Sequence, residues 1–183
     1  MQNYLAGQRV RLTAMTAADA ATLARWQGDA AFLRLLDAVP AAPRTEAQLA
    51  EWIAGAASAS SGFLFGIRPL ASDDLLGYIE LDGILWNQGS SWLSIAIGEE
   101  AQRGQGIGSE ALTLALRFAF DELNLRRLQL TVFSYNTRAI ATYQRLGFTH
   151  EGAFREALLR DGQTHDMLLF GLLRREWEAT RTP

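Results

Sequence analysis

The sequence predicts an α/β (α+β) protein built on a mixed sheet. Strand-like and helix-like stretches interleave from one end of the 183 residues to the other. A strand-like run at Trp92–Ile97 passes through a glycine turn straight into a long helix pattern. The last stretch reads as a hairpin around Arg160-Asp161-Gly162-Gln163, a type I′-like turn sequence.

Taken in order, Gln8 to Leu12 alternates polar and apolar side chains, the mark of a half-buried strand. Thr16 is an N-cap for a helix running through Trp26, with Ala20, Leu23 and Ala24 on one face. A second helix starts near Thr45-Glu46 and carries Leu49, Trp52 and Ile53. Pro40 and Pro43 separate the two. Residues 54 to 61 are small and polar, a loop. Phe63 to Ile67 and Leu76 to Leu81 follow as strands with a break at Asp73-Asp74, then a turn region from Ile84 to Ser91.

From Ser109 to Leu123 the period is helical, and the apolar face is broad enough to lie on a sheet. Arg127 to Phe133 alternates as a strand. Thr137 to Leu146 is a short helix stopped by Gly147, which suits the left-handed position after a helix end. Thr149 to Leu159 and Asp166 to Leu173 are the arms of the hairpin, and Arg174 to Trp177 closes the chain's core. The segments add up to seven strands and four helices. No repeat or low-complexity linker interrupts them, so residues 1–183 read as a single domain.

Composition narrows the function. With 49% hydrophobic residues the chain can bury a sizeable core. The net charge of −3 argues against a nucleic-acid partner, which calls for a basic excess. The chain has no cysteine and no lysine, and its basic residues are all arginine. That excludes disulfides, thiolate metal sites, a cysteine acyl intermediate, a Schiff-base lysine and a Walker A lysine. Two histidines far apart, His150 and His165, give a metal too few ligands. No apolar run is long enough to span a membrane and no signal-like segment begins the chain, so the expected setting is cytoplasmic.

The chemistry concentrates between residues 92 and 148. Arg103-Gly104-Gln105-Gly106-Ile107-Gly108 has the form R-x-x-G-x-G at the start of the long helix. Glycines there let a phosphate approach the backbone, and the N–H groups of Gln105 through Ser109 would form its cup. A dinucleotide fingerprint starting at Gly104 would need glycine where Ser109 stands. Asn136 opens the short helix and Tyr143 follows after seven residues. Two turns put both on one face, about 10 Å apart along the axis, with Ile140 between. Such a face can line a groove for an extended ligand. Asn136 is also an ordinary N-cap, and Tyr143 could be an ordinary core residue.

Together these residues resemble the GNAT superfamily of N-acetyltransferases, over nearly the whole chain and most sharply from Trp92 to Phe148. The early helices and the closing segment are similar to the branch that contains ribosomal-protein N-terminal acetyltransferases. The resemblance implies a twisted, mostly antiparallel sheet splayed open beside Trp92–Ile97, with acetyl-coenzyme A in the split. The pantetheine arm would pair with backbone at Ile95, Ala96, Ile97 and Gly98. The diphosphate would lie against Arg103 to Ser109, Asn136 and Ile140 would flank the arm, and Tyr143 would protonate the departing thiolate. A primary amine acceptor would attack the thioester directly. A homodimer is a further implication.

The general base is not evident. Family members carry a glutamate where Thr131 stands, or one on the hairpin where Leu158 stands. Glu80 and Glu156 are the carboxylates left as candidates. Asp166 is expected in a structural hydrogen bond rather than a pair with His165. Trp26, Trp52 and Trp86 are candidates for an acceptor pocket as well as for the core. Protein N-termini, polyamines, aminoglycosides and small amines all stay open as acceptors. A non-catalytic acyl-coenzyme A sensor and a nucleotide-phosphate binder stand as alternative readings.

Overall fold

A computed structural model describes residues 3–180; residues 1, 2 and 181–183, which the single-domain expectation also spans, lie outside the described residues. Seven strands form one sheet: β1 (Val10–Ala14), β2 (Phe63–Pro69), β3 (Gly77–Leu85), β4 (Ser90–Ile97), β5 (Arg127–Phe133), β6 (Thr149–Arg160) and β7 (Gln163–Leu173), in the order β1-β2-β3-β4-β5-β7-β6. Every neighbouring pair is antiparallel except β4 and β5. The expected mixed, mostly antiparallel sheet is what the chain forms.

The helices are α1 (Ala20–Trp26), α2 (Ala30–Leu36), α3 (Glu46–Ser58), α4 (Ile107–Arg117), α5 (Thr137–Arg145) and α6 (Arg174–Ala179). Two of these exceed the four expected. α6 is the closing segment. α2 is only seven residues long, barely two turns, and its sequence signal is correspondingly weak. Tertiary contact secures it: Phe32 and Leu33 are buried, and the Asp29 carboxylate caps the helix by accepting from Phe32 N at 2.9 Å.

Other boundaries moved for local reasons. The Thr16 helix begins as a 3₁₀ turn, Ala17–Asp19, held by Thr16 N donating to Asp19 at 2.9 Å. α4 continues through a π-helical turn, Phe118–Glu122. The expected turn region from Ile84 to Ser91 holds its turn at residues 86–89, with strand on either side. The buried Ser91 hydroxyl donates to the Asp82 carbonyl at 2.8 Å and zips β3 to β4 almost to the tip.

Alternation sorts the side chains onto two faces. Ile79, Leu81 and Leu93 pack under α4 with Leu112, Leu116 and Phe120, all almost wholly buried. Each such side chain contributes about 1.5–3 kcal/mol by leaving water. Tyr78 and Ala96 point to the other face, where Leu23, Trp26, Phe32, Leu49 and Ile53 of α1, α2 and α3 cover them. The two layers thus clamp β4 from both sides. Among the described residues no helix is long and apolar enough to cross a membrane, and no cluster of three or more acidic or histidine side chains could hold a metal.

Candidate active site

β4 loses its neighbour half-way along. It pairs with β5 only where Ser90, Ser91 and Trp92 meet Arg127, Leu128 and Gln129. β5 then runs on against β7 as far as Phe133, while β4 keeps only β3. The sheet therefore splits beyond Trp92. Gly98 N donates to Leu76 O at 3.0 Å, which fixes the alternation along β4. Ala96 turns its backbone groups toward β3, and Ile95 and Ile97 turn theirs into the split. Arg103 Nε already holds the Ile97 carbonyl, at 2.9 Å.

A cavity of about 600 Å³ fills the split and runs down to the start of α4. Ile95, Ala96 and Ile97 form one wall, and Asn136, Ala139, Thr142 and Tyr143 of α5 form another. At its polar end, Gly104 and Gly106 both take left-handed backbone angles, φ +84° and +83°. Gly106 is the N-cap of α4, so no side chain caps this helix. Side chains do cap α2, α3 and α5, from Asp29, Thr45 and Asn136. The N–H groups of Ile107, Gly108 and Ser109 have no carbonyl within the helix to meet, and the positive end of the helix dipole faces the cavity. This arrangement suits a phosphate group.

Cations surround that end. Arg9, Arg103, Arg138 and Arg145 all line the cavity. Arg9 lies against Gly106, with Nη1 donating to Gln105 O at 2.7 Å, and Arg138 lies against Gly104. Sequence reasoning found only Arg103 of these four. Its guanidinium is largely committed to the loop: it donates to the Ile97 and Gly98 carbonyls at 2.9 Å, sits 3.4 Å from Asp29 and stacks on Phe32. Arg138 could have been flagged from its place two residues past Asn136; Arg9 lies too far away in sequence to signal its role.

On α5 the Asn136 carbonyl oxygen accepts from Ala139 N at 3.2 Å, so the residue is an N-cap and lines the cavity as well. Tyr143 is 8% exposed, with its ring against Phe148 and Phe170. Burial pushes its hydroxyl up to about 12, so it keeps its proton throughout the physiological range. Ile140, expected on the same face, packs instead into the core; Ala139 takes the groove position.

Gly98 also departs from expectation. Its N–H is taken by Leu76 and its carbonyl by Arg103, so neither is left for a ligand arm. A side chain there would run into the Trp26 ring, and close packing is what the glycine provides. Gln105 and Ile107 contribute backbone to the turn rather than side-chain lining, and Ile107 is buried.

A second cavity, of about 550 Å³, lies on the α1–α3 side of the sheet and meets the first at Leu36. Glu80 and Ser94, paired across β3 and β4, form its floor. Tyr78, Trp52 and Arg44 stand around them. Burial, reinforced by Asp82, raises the Glu80 carboxyl above its ordinary value. Glu156 is exposed on an irregular stretch of β6, outside the lining of both cavities. Asp166 makes the structural bond expected of it, accepting from Glu156 N at 2.8 Å. Trp26 is core and Trp86 is 52% exposed on the surface. Thr131 and Leu158 supply no carboxylate, and Leu158 is buried.

The model of the acetyltransferase (GNAT) domain family matches residues 9–149, which takes in both the split strand and the glycine turn. The chain belongs to the GNAT acetyltransferase family. Its relatives include the SPbeta prophage-derived N-acetyltransferase YokL of Bacillus subtilis, 28% identical over 74% of this chain and 75% of that one. The [ribosomal protein uS5]-alanine N-acetyltransferase of Escherichia coli is 31% identical over 66% of this chain and 62% of that one. Among solved structures, a probable GNAT-family acetyltransferase from Chromobacterium violaceum superposes with a TM-score of 0.79, at 27% identity, over 95% of this chain and 87% of that one. Vibrio cholerae spermidine N-acetyltransferase in complex with CoA and spermine shares the fold, with a TM-score of 0.82 at 20% identity over 92% and 98% of the two chains. GNAT acetyltransferases use acetyl-coenzyme A, and this chain is an acyltransferase that moves an acetyl group to an amine.

Proposed function

We propose that this chain acts as one N-acetyltransferase domain that holds acetyl-coenzyme A in the β4–β5 split and an amine in the cavity floored by Glu80. The observation that carries the reading is the loss of β4's partner beyond Trp92, which leaves strand-edge groups facing a cavity that ends on an uncapped helix. When bound, acetyl-coenzyme A supplies an activated thioester. The other roles fall to the chain's own residues.

The amides of Ile107, Gly108 and Ser109 take the diphosphate, with Arg9 and Arg138 adding charge. The outward backbone of Ile95 and the Ile97 N–H pair with the pantetheine arm as an added strand would, and the free Asn136 amide donates to it. A β4 N–H stabilises the oxyanion that develops on the acetyl carbonyl. Glu80 takes the proton that the attacking amine loses, and its raised pKa suits it to that task. Tyr143 keeps its own proton and donates it to the departing thiolate. Holding both substrates where the two cavities approach each other at Leu36 supplies the proximity term.

A cytoplasmic setting and a homodimer join this reading through family membership alone. Light scattering in solution checks the dimer. Thiol release from acetyl-coenzyme A with a panel of amines checks the activity: turnover that depends on an added amine supports it, and tight cofactor binding with no release above background would favour a sensor.

A further inference from the structure

The amine-side cavity holds a cation that amine chemistry does not call for. Arg44 lines it beside Glu80, and its guanidinium lies over the Trp52 ring, 5.5 Å from the centroid. The position is built from both directions. Arg44 N donates to Oε1 of the buried Gln27 at 3.1 Å, and the next residue, Thr45, caps α3. Trp52 is itself held edge-on by Tyr78.

Stacking occupies the face of a guanidinium and leaves its in-plane N–H fork free. Among the described residues no carboxylate pairs with that fork. The other acid in the lining, Asp37, is engaged by its own loop, accepting from Ala38 N at 2.6 Å and Val39 N at 3.3 Å. Arg44 is exposed as well as part of the cavity lining, and its planar fork matches a carboxylate, which it can grip with two parallel bonds. A second ammonium group, as in a polyamine, would meet repulsion there.

We propose, building on the acetyl-transfer reading, that the acceptor is an amine bearing a carboxylate, with the amine at Glu80 and the carboxylate on Arg44. A free amino acid and the first residues of an acidic peptide share this chemistry.

The test compares matched acceptors in steady-state thiol release: glutamate against glutamine amide, a tripeptide amide with aspartate against its asparagine counterpart, and spermidine. The carboxylate member of at least one pair should lead its partner by about 10- to 100-fold in kcat/KM, the effect of one charge-assisted pair. The pair that shows the preference identifies the source. Arg44→Gln should erase that lead by raising KM while kcat stays close to wild type. Arg44→Lys should restore only part of it, because a point charge lacks the fork. Thermal shift with coenzyme A should be the same in all three proteins.

Equal kcat/KM within both pairs, or spermidine as the best acceptor, would overturn the carboxylate assignment and leave acetyl transfer standing. A KM that rises equally for both members of a pair in Arg44→Gln would overturn it too. Absence of thiol release with every amine would overturn both readings.

Discussion

Oε1 of Glu110, in the first turn of α4, accepts the backbone N–H groups of Gln8 and Arg9 at 2.6 and 2.8 Å. The same carboxylate receives Arg9 Nε at 3.0 Å, and Arg9 in turn holds the Gln105 carbonyl. One acidic side chain thus ties the segment before β1 to the turn that forms the phosphate cradle.

Glu110→Ala should therefore cost about 0.5–1.5 kcal/mol of stability, because it removes the acceptor shared by the Gln8, Arg9 and Val10 N–H groups. Burial pushes this carboxyl up, but the bonds from Arg9, Val10 and Gln8 outweigh it and hold the pKa below its ordinary value. A depressed folded-state pKa contributes stability that is complete above the unfolded value near 4.5 and is lost as pH falls through the folded one. Urea unfolding of wild type and Glu110→Gln should show a gap at pH 7 that narrows below pH 4.5. A gap independent of pH would contradict the role of the charge.

Gly106→Ala tests the cradle. An alanine at φ +83° costs about 1–2 kcal/mol, and its Cβ would come within 2.9 Å of Arg9 Nη2. Calorimetric titration should show coenzyme A binding weakened by about tenfold or more. Unchanged affinity would place the diphosphate elsewhere.

Tyr143→Phe keeps the ring and removes the proton. Turnover should fall by about 10²–10⁴-fold with little change in coenzyme A affinity. Because the hydroxyl stays protonated until about pH 12, wild-type kcat should show no loss of this acid up to pH 9. Equal kcat in the two proteins would remove the acid role.

Glu80→Gln should lower kcat and leave coenzyme A binding intact. A raised carboxyl pKa places the acid limb of the wild-type kcat/KM profile above the ordinary carboxylate value of 4.5. That limb should vanish in Glu80→Gln and move to lower pH in Asp82→Asn, which relieves part of the repulsion. A profile identical in all three would exclude Glu80 as the base.

The sheet was legible because its strands alternate and its glycines mark real turns. Asn136 and Tyr143 were legible because two helical turns fix their shared face whatever surrounds them. Ile140 was misplaced by the same reasoning: a helical face is wide, and only the packing of α5 decides whether Ala139 or Ile140 meets the groove. Gly98 looked like cradle material until the Trp26 ring claimed its missing side chain. Arg9, Arg44 and the pairing of Glu80 with Ser94 were invisible because each depends on contacts between residues distant in the chain. Short helix α2 went unseen, although it supplies Leu36, where the two cavities meet.

A crystal structure of the acetyl-coenzyme A complex tests the central claim most directly. The diphosphate should lie within hydrogen-bond range of the Ile107, Gly108 and Ser109 amides, with the arm paired to Ile95 and Ile97 and its sulfur near Tyr143. A β4–β5 split closed by side chains, with the cofactor bound on another surface, would contradict it.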